Sequence, residues 1–172
     1  MVGIRRCREH AATAEEERAL ERRVVVKTMA SGKGRGVVAR RDLEEGQLVG
    51  VLPGRVIPDK HHMRLVNSGA VSGRFCMETR DRDGKVYVVE PEDNSCLLSA
   101  SRFDASMGHF INEPAPGERL NAAWVHNPEY DPERIDCYLI KPVPRGKEIL
   151  VHYGSMYQRS YRAPCQPPAH AF

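Results

Sequence analysis

Short β-rich runs separated by turn residues are the feature that most restricts the fold of this chain. They occupy residues 24–27, 36–40, 48–57, 121–127, 135–143 and 148–154. Gly, Pro, Asn and Asp stand between them, and β-branched runs bounded in this way are typical of strands. The pattern predicts a single-domain, mostly β protein built from many short strands.

The clearest single element is a hairpin at residues 75–90, FCMETRDRDGKVYVVE. Two β-rich runs flank Asp83-Gly84, and a tight turn of this kind needs residues that tolerate positive φ. A second tight turn is expected at 144–146, Pro-Arg-Gly, where it joins the last two β-rich runs. Residues 96–111, after the hairpin, could contain a short helix or 3₁₀ turn.

A short helix is expected near the N-terminus. Thr13 followed by Glu16 matches a capping box, which predicts a helix from about Ala14 to Arg23. The first 18 residues and the proline-rich residues 163–172 are expected to be weakly anchored, the latter because proline extends neither a helix nor a central strand.

Composition and charge limit the class of protein. The chain has 172 residues, of which 41% are hydrophobic and 28% charged, and this is typical of one soluble globular domain with a core of its own. The net charge of +3 is too small to indicate nucleic-acid binding, and no nucleic-acid site is identified. Residues 1–41 hold 11 Lys/Arg against 5 Asp/Glu, which fits either an anionic partner or a solvated charged face.

The cysteines and histidines give no sign of a metal site. The five cysteines are dispersed, odd in number and never in a CxxC pair, which argues against a disulfide framework or a zinc cluster and favours a reducing, intracellular compartment. His61 and His62 are placed in a loop without a partner at ligand spacing and are interpreted as a surface pair. No stretch has the length of a signal peptide or a membrane span.

Three stretches, in this order, resemble the SET-domain protein lysine methyltransferases. The first is SGKGRGVVARRDLEEGQLVG, with a Gly-x-Gly segment, a strand, an acidic turn and a second strand. The second includes MGHFINEP and LNAAW, similar to the Asn-His motif of the family, and the third, KPVPRGKEILVHYGSMY, is similar to its GEELxxDYG ending. The set is more specific than any one motif. The resemblance implies a SET domain at 24–160, between an extension at 1–23 and a tail at 161–172.

The fold implied by the resemblance is mostly β: a SET β-clip of several small sheets, with a C-terminal segment threaded beneath an earlier loop. The chain departs from the family pattern at two motif positions. Glu113 stands where His is usual, and His152 stands where Asp is usual, although a surface position is also open for His152. Asn121 is the counterpart of the final Asn of the family motif. Because the flanking zinc-binding cysteine clusters are missing, the chain resembles a minimal member.

The activity implied is methyl transfer from S-adenosyl-L-methionine to a lysine amine of a protein, with a histone tail as the default substrate and the nucleus as the expected location. A non-histone protein substrate and a binding module that has lost catalysis are the alternatives. The acidic stretch EYDPERID at 129–136 would attract a basic peptide, or else is a solvated turn.

The resemblance assigns the cofactor to several segments. Main-chain groups of Gly34, Arg35 and Gly36 would hold its methionine end, with Lys33 or Arg35 near the carboxylate; an ordinary glycine turn is the alternative. Asn112 would lock a crossing loop and face the cofactor's amino group, or else merely cap a proline turn.

Three further residues complete the cofactor site implied by the resemblance. Main-chain atoms of Glu113 would meet the adenine. Tyr87 falls beside the pocket, and Tyr157 would stack near adenine or pack in the core.

The residue expected to be catalytic is Tyr153, which matches the final Tyr of the family; a strand-end tyrosine in contact with water is the alternative. The channel for the substrate lysine is assigned to Phe75, Val151 and Tyr157. Phe75 and Val151 would make that channel more apolar and favour higher methylation states, unless both are core residues of strands.

Overall fold

The structure is a computed structural model that describes residues 8–10, 12–29, 33–71, 76–90, 107–130 and 132–154. Its elements, in chain order, are β1 Arg8–His10, α1 Ala14–Arg23, β2 Val24–Thr28, β3 Arg35–Ala39, β4 Leu48–Val51, β5 Gly54–Pro58, α2 Asp59–Asn67, β6 Met77–Arg80, β7 Val86–Glu90, a 3₁₀ turn Gly108–Phe110, β8 Ala122–Asn127 and β9 Arg134–Leu139.

The strands form three small antiparallel sheets. One sheet has the order β1-β5-β7-β6, a second pairs β2 with β3, and a third has the order β4-β9-β8. The prediction of a mostly β chain with several small sheets is confirmed. Within the described ranges, neither helix is long and apolar enough to cross a membrane.

The predicted hairpin is present as β6 and β7. Asp81 fixes its turn, because one carboxylate oxygen accepts the N–H groups of Asp83 at 3.0 Å and Lys85 at 2.9 Å. Gly84 has φ +77°, a left-handed conformation that glycine adopts without a Cβ clash. The local sequence therefore determines this hairpin.

The β-rich run at 48–57 is two strands in different sheets, not one. Pro53 lies between β4 and β5; it has no N–H for a ladder, so the pairing breaks there. Gly54 follows it, and a Cβ at that position would lie 2.6 Å from the carbonyl oxygen of Glu90. This close backbone approach sets the start of β5 against β7.

Helix α1 begins as predicted. Thr13 accepts the N–H of Glu16 through its hydroxyl, and the Glu16 carboxylate accepts the N–H of Thr13. Leu20 is 0% exposed and packs in the main core. The N-terminal segment is better anchored than expected, since β1 also pairs with β5.

Helix α2 replaces the loop that was expected around His61 and His62. His61 is exposed, but His62 is buried, so the prediction of a surface pair is wrong for His62. The reason is a partner distant in sequence: His62 Nε2 lies 2.6 Å from a carboxylate oxygen of Glu90, which is also buried.

The segment at 147–151 lies between β3 and the loop at 111–122. On one side the N–H of Ile149 donates to the carbonyl of Val37 at 2.8 Å. On the other side the N–H of Val151 donates to the carbonyl of Asn112 at 3.0 Å. Among the described residues, the expected strand at 148–154 pairs through isolated bridges at residues 148 and 150 and forms no regular strand. This placement brings the second motif stretch, at Asn112, against the third, at Val151.

Candidate active site

Asn112 ties three parts of the chain together. Its side-chain Nδ2 donates to the carbonyl of Arg35 at 2.9 Å and to Glu148 Oε1 at 2.8 Å, while its main-chain carbonyl accepts the N–H of Val151. The first, second and third motif stretches therefore meet at one residue. The expected role of Asn112 toward a cofactor stays a prediction.

The two predicted glycines have different surroundings. A Cβ at Gly36 would lie 2.5 Å from Glu148 Oε1 and 3.0 Å from Asn112 Nδ2, so this glycine is required by the protein's own side chains. Gly34 has φ +79° and a Cβ there would meet nothing within 4 Å. Gly34 thus serves the backbone conformation and borders open space.

The basic side chains beside these glycines have partners within the protein. Lys33 Nζ bonds to Glu118 and lies 3.4 Å from Glu148. The hydrogen bond from Lys33 lowers the pKa of the Glu118 carboxyl. The Arg35 guanidinium lies 4.3 Å from the centre of the Phe110 ring, a cation–π distance. The expected role of either residue at a cofactor carboxylate stays a prediction.

Glu113 has a role that the sequence analysis missed. Its side chain is only 4% exposed, and Oε1 accepts the N–H of Tyr153 at 2.6 Å. Apart from the departure from His, no feature of the sequence indicated this contact. The departure places an acceptor directly against the residue expected to be catalytic.

Tyr153 is held at both ends. Besides the bond of its N–H to Glu113, its hydroxyl donates to the carbonyl of Ile111 at 2.8 Å, next to Asn112. The neighbouring His152 is half-buried, and its Nδ1 accepts the N–H of Gly154 at 2.8 Å. Tyr153 is therefore half-buried, with its hydroxyl bonded to the protein, and its catalytic role stays a prediction.

A narrow cavity of about 50 Å³ opens beside Tyr153. The described residues on its wall are mostly apolar: Leu52, Cys76, Met77, Gly108, His109, Ile111, Trp124 and Tyr153. Such a volume holds a few water molecules, or a thin, unbranched side chain, but no bulky ring. The cavity is suited to an extended alkyl group.

His109 is the imidazole on this wall, and it was not singled out from the sequence. Burial lowers the pKa of His109 to about 4, because a charged imidazolium is poorly solvated there. At neutral pH the ring is uncharged and carries one nitrogen that can accept a hydrogen bond.

Other predicted site residues lie elsewhere. Val151 is 0% exposed in the core, away from the cavity wall, which agrees with its alternative reading as a core residue. Tyr87 is half-buried on β7, where the Lys85 ammonium lies 5.2 Å from its ring centre. Phe75 and Tyr157 lie outside the described residues.

Asn121 fixes the segment that carries the site. Its Oδ1 accepts the N–H of Leu150 at 2.7 Å, and its Nδ2 donates to the carbonyl of Glu148 at 2.7 Å. The N–H of Asn121 donates in turn to the carbonyl of Leu150 at 3.1 Å. Asn121 thus makes three hydrogen bonds to the backbone of Glu148 and Leu150, as a paired strand would do.

Comparisons with known proteins identify the fold. The family described as SET domain matches residues 34–154. No curated protein matches the chain. Among solved structures, the crystal structure of CpSET8 from Cryptosporidium is similar, with a TM-score of 0.56 and 21% identity. The match covers 77% of this chain and 57% of that one, so this chain spans little more than half the length of its structural relative. The predicted β-clip fold class is confirmed.

Proposed function

Because the chain belongs to the SET-domain family of protein lysine methyltransferases, we propose that it transfers a methyl group from S-adenosylmethionine to a lysine of a protein substrate. The observation that supports this best is the meeting of Tyr153 with the Asn112 loop. The Tyr153 hydroxyl lies 2.8 Å from the Ile111 carbonyl, and the same side chain borders the narrow, mostly apolar cavity of about 50 Å³.

The residues around Asn112 fit a cofactor of this kind. Asn112 Nδ2 is engaged, but within the described ranges no donor reaches Asn112 Oδ1, which leaves an acceptor for the ammonium of a methionine group. Gly34 borders space that a ligand can fill. When bound, S-adenosylmethionine supplies a methyl group activated by its sulfonium charge. Main-chain groups at Gly34 and Glu113 would hold its two ends.

The cavity wall favours the neutral, reactive form of the substrate lysine. An ammonium has no lone pair, and at a pKa of about 10.4 only about one lysine in a few thousand is neutral at pH 7. The apolar side chains of Leu52, Met77 and Trp124 disfavour the charged form and lower that pKa. The neutral imidazole of His109 offers an acceptor for an N–H of the amine.

The amine must also be aligned with the methyl group, and two hydrogen bonds hold Tyr153 in place for this. The bond from its N–H to Glu113 fixes its backbone, and the bond from its hydroxyl to Ile111 fixes its ring. The hydroxyl oxygen can then accept a hydrogen bond from the amine and direct its lone pair. Positioning of this kind lowers a barrier by several kcal/mol.

A histone tail is the proposed substrate, from the family alone, and nuclear residence follows only from that substrate class. The acidic stretch at 129–136 adds little support. Asp136 is fully buried against Arg134, so of the described carboxylates in that stretch only Glu129 and Glu133 reach solvent.

A binding module without catalysis is the second candidate, and Glu113 is the observation that favours it. The buried carboxylate adds a negative charge beside the expected catalytic tyrosine. Such a charge would attract a lysine ammonium and oppose the loss of its proton.

Calorimetry with S-adenosylmethionine, followed by transfer of labelled methyl groups to mixed core histones, tests the proposal. We expect donor binding, and for Tyr153→Phe a loss of activity of about 100-fold with the donor still bound. Tyr138→Phe is the matched control, because Tyr138 is a half-buried tyrosine of β9 away from the cavity wall.

Each other outcome has a distinct meaning. Absence of donor binding would refute the enzyme and favour the binding module. Donor binding without transfer to histones would refute the histone substrate, and a peptide array would then search for another protein target. Full activity of Tyr153→Phe would refute the role of the hydroxyl.

A further inference from the structure

Three side chains that the proposed mechanism does not use meet beside the cavity. They are His62 in α2, Cys76 just before β6, and Glu90 at the end of β7. One potential ligand atom from each, namely an imidazole nitrogen, the thiol sulfur and a carboxylate oxygen, lies within 4.8 Å of the other two.

The topology explains how residues so far apart in sequence converge. Helix α2 directly follows β5, β5 pairs with β7, and β7 pairs with β6. Helix α2 therefore places His62 near the end of the sheet where β7 finishes at Glu90 and where Cys76 precedes β6. The spacing in the sequence did not indicate a site, because positions 62, 76 and 90 are each 14 positions apart, far beyond short ligand motifs.

Two members of the cluster, His62 and Glu90, are buried polar side chains. His62 is 5% exposed and Glu90 is 3% exposed, with 2.6 Å between their ring nitrogen and carboxylate oxygen. A buried carboxylate is stable only with a proton or cation beside it. The imidazole meets part of that need, and the Cys76 sulfur, within 4.8 Å of both partner atoms, adds a third potential ligand.

We propose that His62, Cys76 and Glu90 bind a Zn²⁺-class divalent cation. Nitrogen, thiolate sulfur and carboxylate oxygen together form a donor set that Zn²⁺ accepts, with three protein ligands and a fourth position for water. Ligand atoms around tetrahedral Zn²⁺ lie about 3.3–3.7 Å apart, given bond lengths of about 2.0–2.3 Å. To reach that spacing, the His62 nitrogen and the Glu90 oxygen must move apart from 2.6 Å, and any pair of ligand atoms near the 4.8 Å limit must come closer.

The cavity gives access to one of the three ligands. Cys76 is half-buried and borders the cavity that also contacts Tyr153, so a cation can approach the sulfur from there. The proposal does not depend on methyl transfer, and a cation can bind whether or not the cavity accepts a lysine.

Metal titration of the full chain tests the proposal. After treatment with a chelator, we expect one equivalent of Co²⁺ to give a thiolate-to-metal charge-transfer band, which Zn²⁺ then removes by displacement. Cys76→Ser should abolish the band, and His62→Gln should weaken Zn²⁺ binding at least about 10-fold. His61→Gln and Cys165→Ser are matched controls expected to bind as the wild type does; His61 is an exposed neighbour on the same helix.

A measurement on the unmodified protein protects the test against variants that fail to fold. X-ray absorption of the Zn²⁺-loaded chain should show one sulfur at about 2.3 Å and nitrogen or oxygen ligands at about 2.0–2.1 Å. No stoichiometric binding would overturn the proposal. A shell without sulfur, or binding that Cys76→Ser and His62→Gln leave unchanged, would overturn it equally.

Discussion

Replacing Asn121 by alanine should destabilise the whole domain, because this side chain holds the segment that carries Tyr153. Asn121 is 8% exposed and bonds to both the N–H of Leu150 and the carbonyl of Glu148, each at 2.7 Å. Alanine removes both bonds without providing another partner. Two main-chain polar groups then lose the contacts that the fold gives them.

The expected loss follows from those two groups. A buried donor or acceptor left unsatisfied costs about 1–3 kcal/mol. Glu148 is half-buried, so water can reach part of the gap, and we expect a total of about 2–4 kcal/mol. For a domain of this size that corresponds to a fall in Tm of about 5–15 °C.

Equilibrium unfolding in urea, followed by circular dichroism, measures this difference. Asn67→Ala is the matched control: Asn67 is exposed at the end of α2, and its replacement should change the free energy of unfolding by less than about 0.5 kcal/mol. Asn121→Asp keeps the acceptor for Leu150 but places a carboxylate against the Glu148 carbonyl. It should therefore be at least as unstable as Asn121→Ala at neutral pH.

A change in Asn121→Ala no larger than that in Asn67→Ala would refute this account. It would mean that residues 148–150 are held by their contacts with β3 and the core, and that the asparagine contributes no net stability.

Three further predictions concern buried charge. Arg134→Met should cost about 3–5 kcal/mol in urea unfolding, because Asp136 is 0% exposed and loses its guanidinium partner at 2.6 Å; a neutral result would contradict the ion pair's role. Burial raises the pKa of the Glu16 carboxyl, but hydrogen bonds, chiefly with Arg134, outweigh it and lower that pKa below 4.5. The stability gained from the ionised carboxylate is therefore present above pH 4.5 and is lost as pH falls through the folded-state pKa. Glu16→Gln should therefore differ from the wild type at pH 7 and converge with it in acid, and a difference independent of pH would count against the pair. The NMR titration of the His109 ring should have its midpoint near pH 4; since the unfolded chain takes up this proton near pH 6.5, wild-type stability should fall between pH 6.5 and 4, and a midpoint near 6.5 would exclude burial as described.

Local chemistry made much of the fold predictable from sequence. The Asp83-Gly84 turn, the capping box of Thr13 and Glu16, and the tendency to short strands all depend on residues close together in the chain. The order of the three motif stretches was enough to identify the family. The structure places Tyr153 against Ile111 and Glu113, the two neighbours of Asn112. Helix α2 was missed because its burial depends on Glu90 rather than on a local signal.

The sequence by itself determined most of the strands, the hairpin turn and the family, since those follow from neighbouring residues and their order. Only the tertiary structure placed the Glu113 carboxylate on the N–H of Tyr153, 40 residues away, and His62 against Glu90, 28 residues away. Only the fold, too, turned Arg134 and Asp136 inward from a stretch that looks like an acidic surface. The physical reason is that a polar side chain can be buried wherever a partner satisfies it, and that partner is chosen by chain topology, which periodicity and spacing do not encode.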